Sequence, residues 1–291
     1  MAIWVDVVKN LASVSPYLIP ASWPKPPSVF AFHTTRWGGV SCGVYATWNL
    51  GFHVGDEARW VAQNRALLMA RVRAISPCDR GLAFQWLNQV HGIELVSLPR
   101  PSLNGSENCL DSSSRVVGGD IDDAAPQADG VFLRQPGTAA VVLTADCLPL
   151  VLADRSGGAI AVVHAGWRGL AAGILETALA AFQVPADEIV VTLGPCILPR
   201  NFEVGADVRA TFLHRFGREA ATAFLPRSGG RWYGMLARLA YLRLKALGVS
   251  CVVGFGVTQA QSLLSHCNPF YSYRAAQTTG RFATVVGIFD A

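Results

Sequence analysis

The stretch Thr144-Ala-Asp-Cys-Leu-Pro-Leu-Val-Leu-Ala-Asp154, followed by Val162-Val-His-Ala-Gly-Trp-Arg-Gly169, decides how this chain is read. Leu148 to Ala153 and Ala159 to His164 are apolar and rich in branched residues, so both predict strands. Between them, Asp154-Arg-Ser-Gly157 is a short polar turn containing glycine, a hairpin signal. If that turn is the loop, Ala153 pairs with Gly158, and counting outward sets Cys147 opposite His164. Opposed residues of an antiparallel pair share one face, with Cβ atoms about 5 Å apart. A one-residue slip would part them. Pro149 lies early in the first strand, where a missing N–H is tolerated. A third donor, His91, stands upstream in Gln89-Val-His-Gly92. One thiolate and two imidazoles suit a catalytic metal that keeps a position for water, with zinc the favoured ion. The plainer alternative is a buried cysteine and a satisfied histidine with no metal.

Bulk composition narrows the class. The chain has 291 residues, room for one large domain or two ordinary ones. Apolar residues make up 51% and charged residues 15%, so much of the chain must be interior. A net charge of +4 without a basic run or stripe gives no footprint for nucleic acid. No uninterrupted apolar stretch is long enough to span a membrane. Asp6 and Lys9 stand where a secretory signal would be apolar. The seven cysteines are odd in number and scattered, with no C-x-x-C, which fits free thiols in a reducing compartment. A cytoplasmic protein is the expectation.

Along the chain, residues 1–20 read as an N-terminal extension and 21–291 as one catalytic domain. Val29 to His33 predicts a strand, and Glu57 to Arg73 an amphipathic helix after an Asp56 cap. Phe84 to His91 and Ile93 to Leu98 predict a second strand pair, interrupted at His91-Gly92. From 100 to 126 the composition turns polar and turn-rich, as in Asn104-Gly-Ser-Glu-Asn108, and reads as a flexible surface insertion. Further strands are expected at 128–133, 139–145, 189–193, 251–256 and 284–289. Helices are expected at 167–182, 206–216 and 235–247. Strands and helices alternate irregularly and one pair is an antiparallel hairpin, so the fold class is α/β or α+β with mixed sheets and helices packed on them.

The strand ending at His164 runs through Ala165-Gly-Trp-Arg-Gly169 into a helix, where free N–H groups and a guanidinium suit an anion. Arg168 is thus a candidate catalytic and substrate-binding residue, with Arg36, Arg274 and Arg281 as further anion candidates. Asp146 and Asp129 are the carboxylates placed to serve as acid or base. Strand alternation points Asp146 away from the Cys147 face unless the strand kinks, and Asp129-Gly130 also reads as a simple turn. The donor set resembles in type that of zinc nucleobase deaminases. Bound zinc lowers its water's pKa to about 7, so hydroxide attack on an electrophilic carbon is expected.

A larger pattern now stands out. Gln89-Val-His-Gly92, Ala128-Asp-Gly130, Thr144-Ala-Asp-Cys-Leu-Pro149, His164-Ala-Gly-Trp-Arg-Gly169, Leu193-Gly-Pro-Cys-Ile197, Phe202-Glu-Val204, Ser272-Tyr-Arg274 and Thr279-Gly-Arg281 follow in order. Together they resemble the purine nucleoside phosphorylase family long labelled polyphenol oxidase or laccase-domain, which includes a bacterial peptidoglycan-editing factor. The resemblance runs from about Trp23 almost to the C-terminus. It implies zinc on His91, Cys147 and His164, and a fold similar to the Cys–His toxin deamidases. It also implies phosphorolysis of adenosine, inosine, guanosine and methylthioadenosine to a base and ribose 1-phosphate, with side adenosine deamination. The partners implied are a purine nucleoside and phosphate, and Arg36, Arg168 and Arg274 become phosphate candidates. Oligomeric state is left open, a monomer being compatible with all of it. Ala275, Met235 and Val257 depart from the family pattern, which bears on substrate preference, and the insertion is longer than the pattern leads one to expect.

Two other chemistries use the same residues. A copper polyphenol oxidase would also accept two histidines and a cysteine, but six histidines and no His-x-His pair are few for a multicopper enzyme. A metal-free hydrolase or deamidase would take Cys147 as nucleophile and His164 as base. A zinc-stapled binding module is the non-enzymatic alternative.

Overall fold

The computed structural model describes residues 17–21, 23–75, 82–98, 125–255 and 269–289. Nearly all of the expected insertion, most of the expected extension and Val257 lie outside these residues. In chain order the strands are β1 (Leu18–Pro20), β2 (Val29–Thr34), β3 (Ala83–Gln85), β4 (Leu95–Ser97), β5 (Gly130–Leu133), β6 (Thr138–Thr144), β7 (Leu148–Asp154), β8 (Ile160–Ala165), β9 (Ile189–Leu193), β10 (Glu203–Val204), β11 (Phe224–Arg227), β12 (Arg231–Gly234), β13 (Cys251–Gly254) and β14 (Phe282–Ile288). The α-helices are α1 (Ala58–Ile75), α2 (Trp167–Ala172), α3 (Ile174–Phe182), α4 (Ala206–Phe216) and α5 (Leu236–Ala246).

One sheet runs β1-β2-β14-β6-β3, a second β13-β9-β7-β8-β5-β4, and a small third β10-β12-β11. The pairs β3/β6, β4/β5 and β13/β9 are parallel and the others antiparallel, so the fold is α/β with mixed sheets.

Side-chain alternation assembles these sheets into layers. Along β7, Leu148, Leu150 and Leu152 pack outward with Leu170, Leu175, Phe212 and Leu239 of the helices. The alternate residues Val151 and Ala153 pack inward with Val142 and Val286 of the first sheet. The far face of that sheet, through Phe30, Phe32, Val141 and Val285, meets Trp48 and Leu68 and Val72 of α1. The order is therefore helix, sheet, sheet, helices. Both faces of the central strands are covered, so even these antiparallel strands read as unbroken apolar runs.

Three local expectations are corrected. First, the hairpin loop is Arg155 to Gly158, and Ala153 pairs with Ile160 while His164 pairs with Pro149. Asp154 stays in the strand because its N–H donates to Ala159 O at 3.1 Å. Its carboxylate then caps the turn, accepting from Ser156 Oγ at 2.8 Å and from Gly158 N–H at 2.9 Å. Sliding a loop by one residue moves the pairing by two, which preserves faces, so Cys147 keeps the side shared with His164. Second, β3 and β4 are not a pair. β3 joins the first sheet beside β6, and β4 joins the second beside β5. Third, the helix expected over 167–182 is broken at Gly173, which adopts φ +118 between α2 and α3. Leu18–Pro20, within the stretch read as an extension, pairs with β2 at the edge of the first sheet.

Candidate metal centre

His91 sits where the chain crosses from one sheet to the other. After β3 leaves β6, the Gln89 side chain takes the ladder's place: its amide donates to Leu143 O at 2.9 Å, and its Oε1 accepts from Leu143 N–H at 2.7 Å. The next turn wraps around Asp129. This fully buried carboxylate accepts the N–H groups of Val90, His91 and Gly92 at 3.3, 3.0 and 2.6 Å. It also meets His164 Nδ1 at 2.8 Å. One side chain thus positions two of the three candidate ligands. Sequence reasoning offered Asp129 only as an acid–base candidate. Its signal was the Ala-Asp-Gly turn feeding a strand, since the role depends on a distant histidine.

The three donors converge. Ligand atoms of His91, Cys147 and His164 all lie within 4.8 Å of one another. Cys147 Sγ is 3.8 Å from His91 Nε2, and the imidazoles meet edge to face with centroids 4.7 Å apart. Donors on one tetrahedral zinc would stand about 3.3–3.6 Å apart, given Zn–N and Zn–S bonds of about 2.0–2.1 and 2.3 Å. With His164 Nδ1 engaged by Asp129, Nε2 is left for an ion, the carboxylate–histidine arrangement common at metal sites. The donor set therefore fits a metal. His164 is buried, Cys147 half-buried and His91 exposed, so the centre opens to solvent on one side.

Backbone strain concentrates here. His91 (φ 60) and Asp146 (φ 88) are two of the non-glycine residues in the left-handed region, an arrangement of order 1–3 kcal/mol each that persists where surroundings enforce it. Two glycines make room. A Cβ on Gly166 would stand 2.8 Å from His91 Cδ2, and one on Gly169 would stand 2.7 Å from Gly92 O. These glycines therefore admit the chain's own His91-Gly92 turn against the start of α2, rather than an outside ligand.

The electrostatics follow from the packing. Burial pushes the Cys147 thiol up, but His164 and His91 outweigh it and bring it down to about 6. Burial pushes His164 down, but Cys147 and Asp129 overcome this and raise it to about 9. Burial likewise opposes ionisation of Asp129, yet the hydrogen bonds from His164, Gly92 and His91 hold it below the ordinary carboxylate range. Without a metal the trio is a thiolate–imidazolium pair on an ionised carboxylate.

Asp146, adjoining Cys147, opens a cavity of about 110 Å³ lined also by Cys196, Asn201, Phe270, Tyr271 and Phe282. Its Oδ2 accepts the Arg274 N–H at 2.6 Å. The left-handed turn carries it off the strand, which simple alternation does not anticipate. Cys196, Asn201, Phe270 and Tyr271 were not foreseen along this cavity, since residues outside the strands and α-helices carry no periodic signal. The arginines divide. Arg168 is exposed and lies over the Trp167 ring at 4.5 Å. Arg274 spends Nη1 on Glu203 O at 2.9 Å. Arg36 donates through Nε to Ala46 O at 3.1 Å and lies 4.8 Å over Tyr271, on the cavity wall.

Known proteins resemble this chain over nearly its whole length. A family model described as multi-copper polyphenol oxidoreductase laccase matches residues 30–289. A Pseudomonas aeruginosa protein named purine nucleoside phosphorylase is 41% identical over 269 residues, covering 92% of this chain and 97% of that protein. The Escherichia coli protein named purine nucleoside phosphorylase YfiH is 35% identical, covering 92% of this chain and 98% of its own length. The crystal structure of a Neisseria meningitidis DUF152 protein superposes with a TM-score of 0.77 at 37% identity, covering 94% of this chain and 100% of that one. YlmD of Geobacillus stearothermophilus follows with a TM-score of 0.75 at 28% identity, covering 92% of this chain and 94% of its own. The family model spans almost the whole described chain and these relatives are covered nearly end to end, so the chain belongs to the laccase-domain family of YfiH and DUF152 proteins.

Proposed function

We propose that this protein is a zinc-dependent purine nucleoside phosphorylase with side adenosine deaminase activity. The observation that carries the reading is the convergence of His91, Cys147 and His164 beside a cavity whose rim is Asp146. The names of its relatives support the same substrate class. His91, Cys147 and His164 would hold the ion, which supplies a Lewis acid and an activated water when bound. Asp129 holds His164 in the tautomer that presents Nε2 and keeps the His91 turn in place. Phe270, Tyr271 and Phe282 give the cavity aromatic walls on which a planar base can stack. Asp146, at the rim, is the group placed to hydrogen-bond or exchange a proton with the bound nucleoside. Arg36, beside Tyr271, and Arg168, at the start of α2, add positive charge for phosphate.

The test is direct. Purified protein with zinc, phosphate, and adenosine or inosine should release free base and ribose 1-phosphate. Absence of base release from every purine nucleoside would overturn the proposal. A second reading has its own support: the thiolate–imidazolium pair of Cys147 and His164 suits a metal-free cysteine hydrolase or deamidase. Activity surviving exhaustive chelation would favour that reading, and loss restored by zinc would favour the first. The copper-oxidase reading predicts copper in protein purified without added metal, together with phenol oxidation. With one cluster of three metal donors among the described residues, we propose zinc instead.

A further inference from the structure

Phosphorolysis needs a place for its second substrate, an oxyanion, and the candidate arginines are not equivalent. The difference lies in where β14 begins. Phe282 pairs with Thr144 at the end of β6, so the residue before it stands across the sheet edge from Ala145, beside the Asp146-Cys147 turn. That residue is Arg281. Its neighbours on either side belong to the cavity: Phe282 lines it, and Gly280 packs so tightly on Tyr271 that a Cβ there would lie 2.7 Å from the ring.

The arginine is held firmly. Its N–H donates to Asn49 Oδ1 at 2.9 Å, and its stem rests on Gly51, where a Cβ would approach within 2.9 Å. Nη1 donates to Thr279 O at 3.2 Å and Gly280 O at 3.1 Å, and the guanidinium carbon lies 5.9 Å from the Tyr273 ring centre. Among the described residues no carboxylate forms an ion pair with it, and Nε and Nη2 have no partner there. The half-buried guanidinium is therefore pre-positioned with one edge open. Burial disfavours its charge, while Cys147 and Asp146 are near enough to favour it, which agrees with its position beside the metal trio. Arg168, in contrast, is exposed, and Arg274 is committed to Glu203.

We propose that Arg281 is the anchor of the inorganic phosphate co-substrate, holding it beside the metal trio by its free edge. The proposal rests on the phosphorylase reading above. In that reaction a phosphate oxygen bonds to the anomeric carbon of the ribose as the bond to the base nitrogen breaks. The bonding pair leaves with the base, which takes a proton from solvent. A planar fork that fixes two phosphate oxygens orients the third toward that carbon.

The experiment compares zinc-loaded wild type, Arg281→Ala and Arg281→Lys at full length, with zinc content confirmed. We expect Arg281→Ala to raise the KM for phosphate about tenfold or more, with the KM for inosine within about twofold, and Arg281→Lys to fall between. An unchanged phosphate KM, or an equal rise in both constants, would overturn the assignment. A second measurement needs no turnover: millimolar phosphate should raise the Tm of wild type more than that of Arg281→Lys, and equal shifts would overturn the assignment even if Arg281→Ala fails to fold. The two claims fail separately. If wild type releases no base from any purine nucleoside, the phosphorylase reading falls, while the thermal-shift comparison still decides whether Arg281 holds an oxyanion.

Discussion

Asp129 joins two of the candidate ligands, accepting the N–H groups of Val90, His91 and Gly92 and meeting His164 Nδ1 at 2.8 Å. Asp129→Asn keeps the shape but gives up the charge that holds His164, and one of its amide donors would face the N–H groups of residues 90–92. We expect metal affinity to fall about 10–100-fold, read by competition with a chromogenic chelator. Gly169→Ala tests the close approach of the His91 turn. With 2.7 Å between the new Cβ and a backbone carbonyl, overpacking of about 1–3 kcal/mol is expected, and metal affinity should drop with it; unchanged affinity and denaturant midpoint would refute the steric account. His33 is not one of the three clustered donors. It is buried, with Nδ1 2.9 Å from Thr284 Oγ1, and burial brings its pKa down to about 3. The folded state therefore binds this proton less readily than the unfolded chain, whose histidines titrate near 6.5. The stability from a neutral His33 is complete above about pH 6.5 and drains away as pH falls toward 3, roughly 3 kcal/mol of it by pH 4.5. Denaturant titrations should show a shallower loss between pH 7 and 4.5 for His33→Gln than for wild type.

At the level of elements, the α2–α3 break is the informative case. The apolar stripe of Leu170, Ile174, Leu175 and Leu179 continues across it, and Leu170, Ile174 and Leu175 are fully buried. Periodicity therefore predicts one helix. Gly173 at φ +118 redirects the chain so that a short first helix can follow β8 closely while the second lies along the sheet. Gly173→Ala should cost about 1 kcal/mol or more, because an L residue at that angle is strained whatever the space around it; equal thermal midpoints for variant and wild type would refute this. The hairpin teaches the complementary lesson. Composition locates its turn to within one residue, but the hydrogen bonds of Asp154 choose the pairing. The error was harmless to the site because it came in a step of two.

For the molecule as a whole, the candidate centre ties three distant segments together: the crossover at His91, the turn before β7 and the end of β8. An ion bound there stabilises the folded chain by mass action, about 2.7 kcal/mol at a hundredfold excess over its dissociation constant. Chelation should lower the Tm of wild type, zinc should restore it, and Cys147→Ala should respond to neither; identical shifts in that variant would show that the ion binds elsewhere. The layered core is a separate source of stability, so the apo protein should remain folded. Among the described residues no helix is long and apolar enough to cross a membrane.

Local chemistry was readable from the chain alone. Branched apolar runs mark strands and a polar turn marks a hairpin, because each depends on neighbours a few residues away, and residue type alone names candidate metal donors. Contacts across long separations were not readable. The division of β3 and β4 between two sheets, the grip of Asp129 on both histidine segments and the placing of Arg281 against Ala145 join residues far apart in sequence. No period or motif encodes such meetings; they arise only when the two sheets stack and bury their shared face.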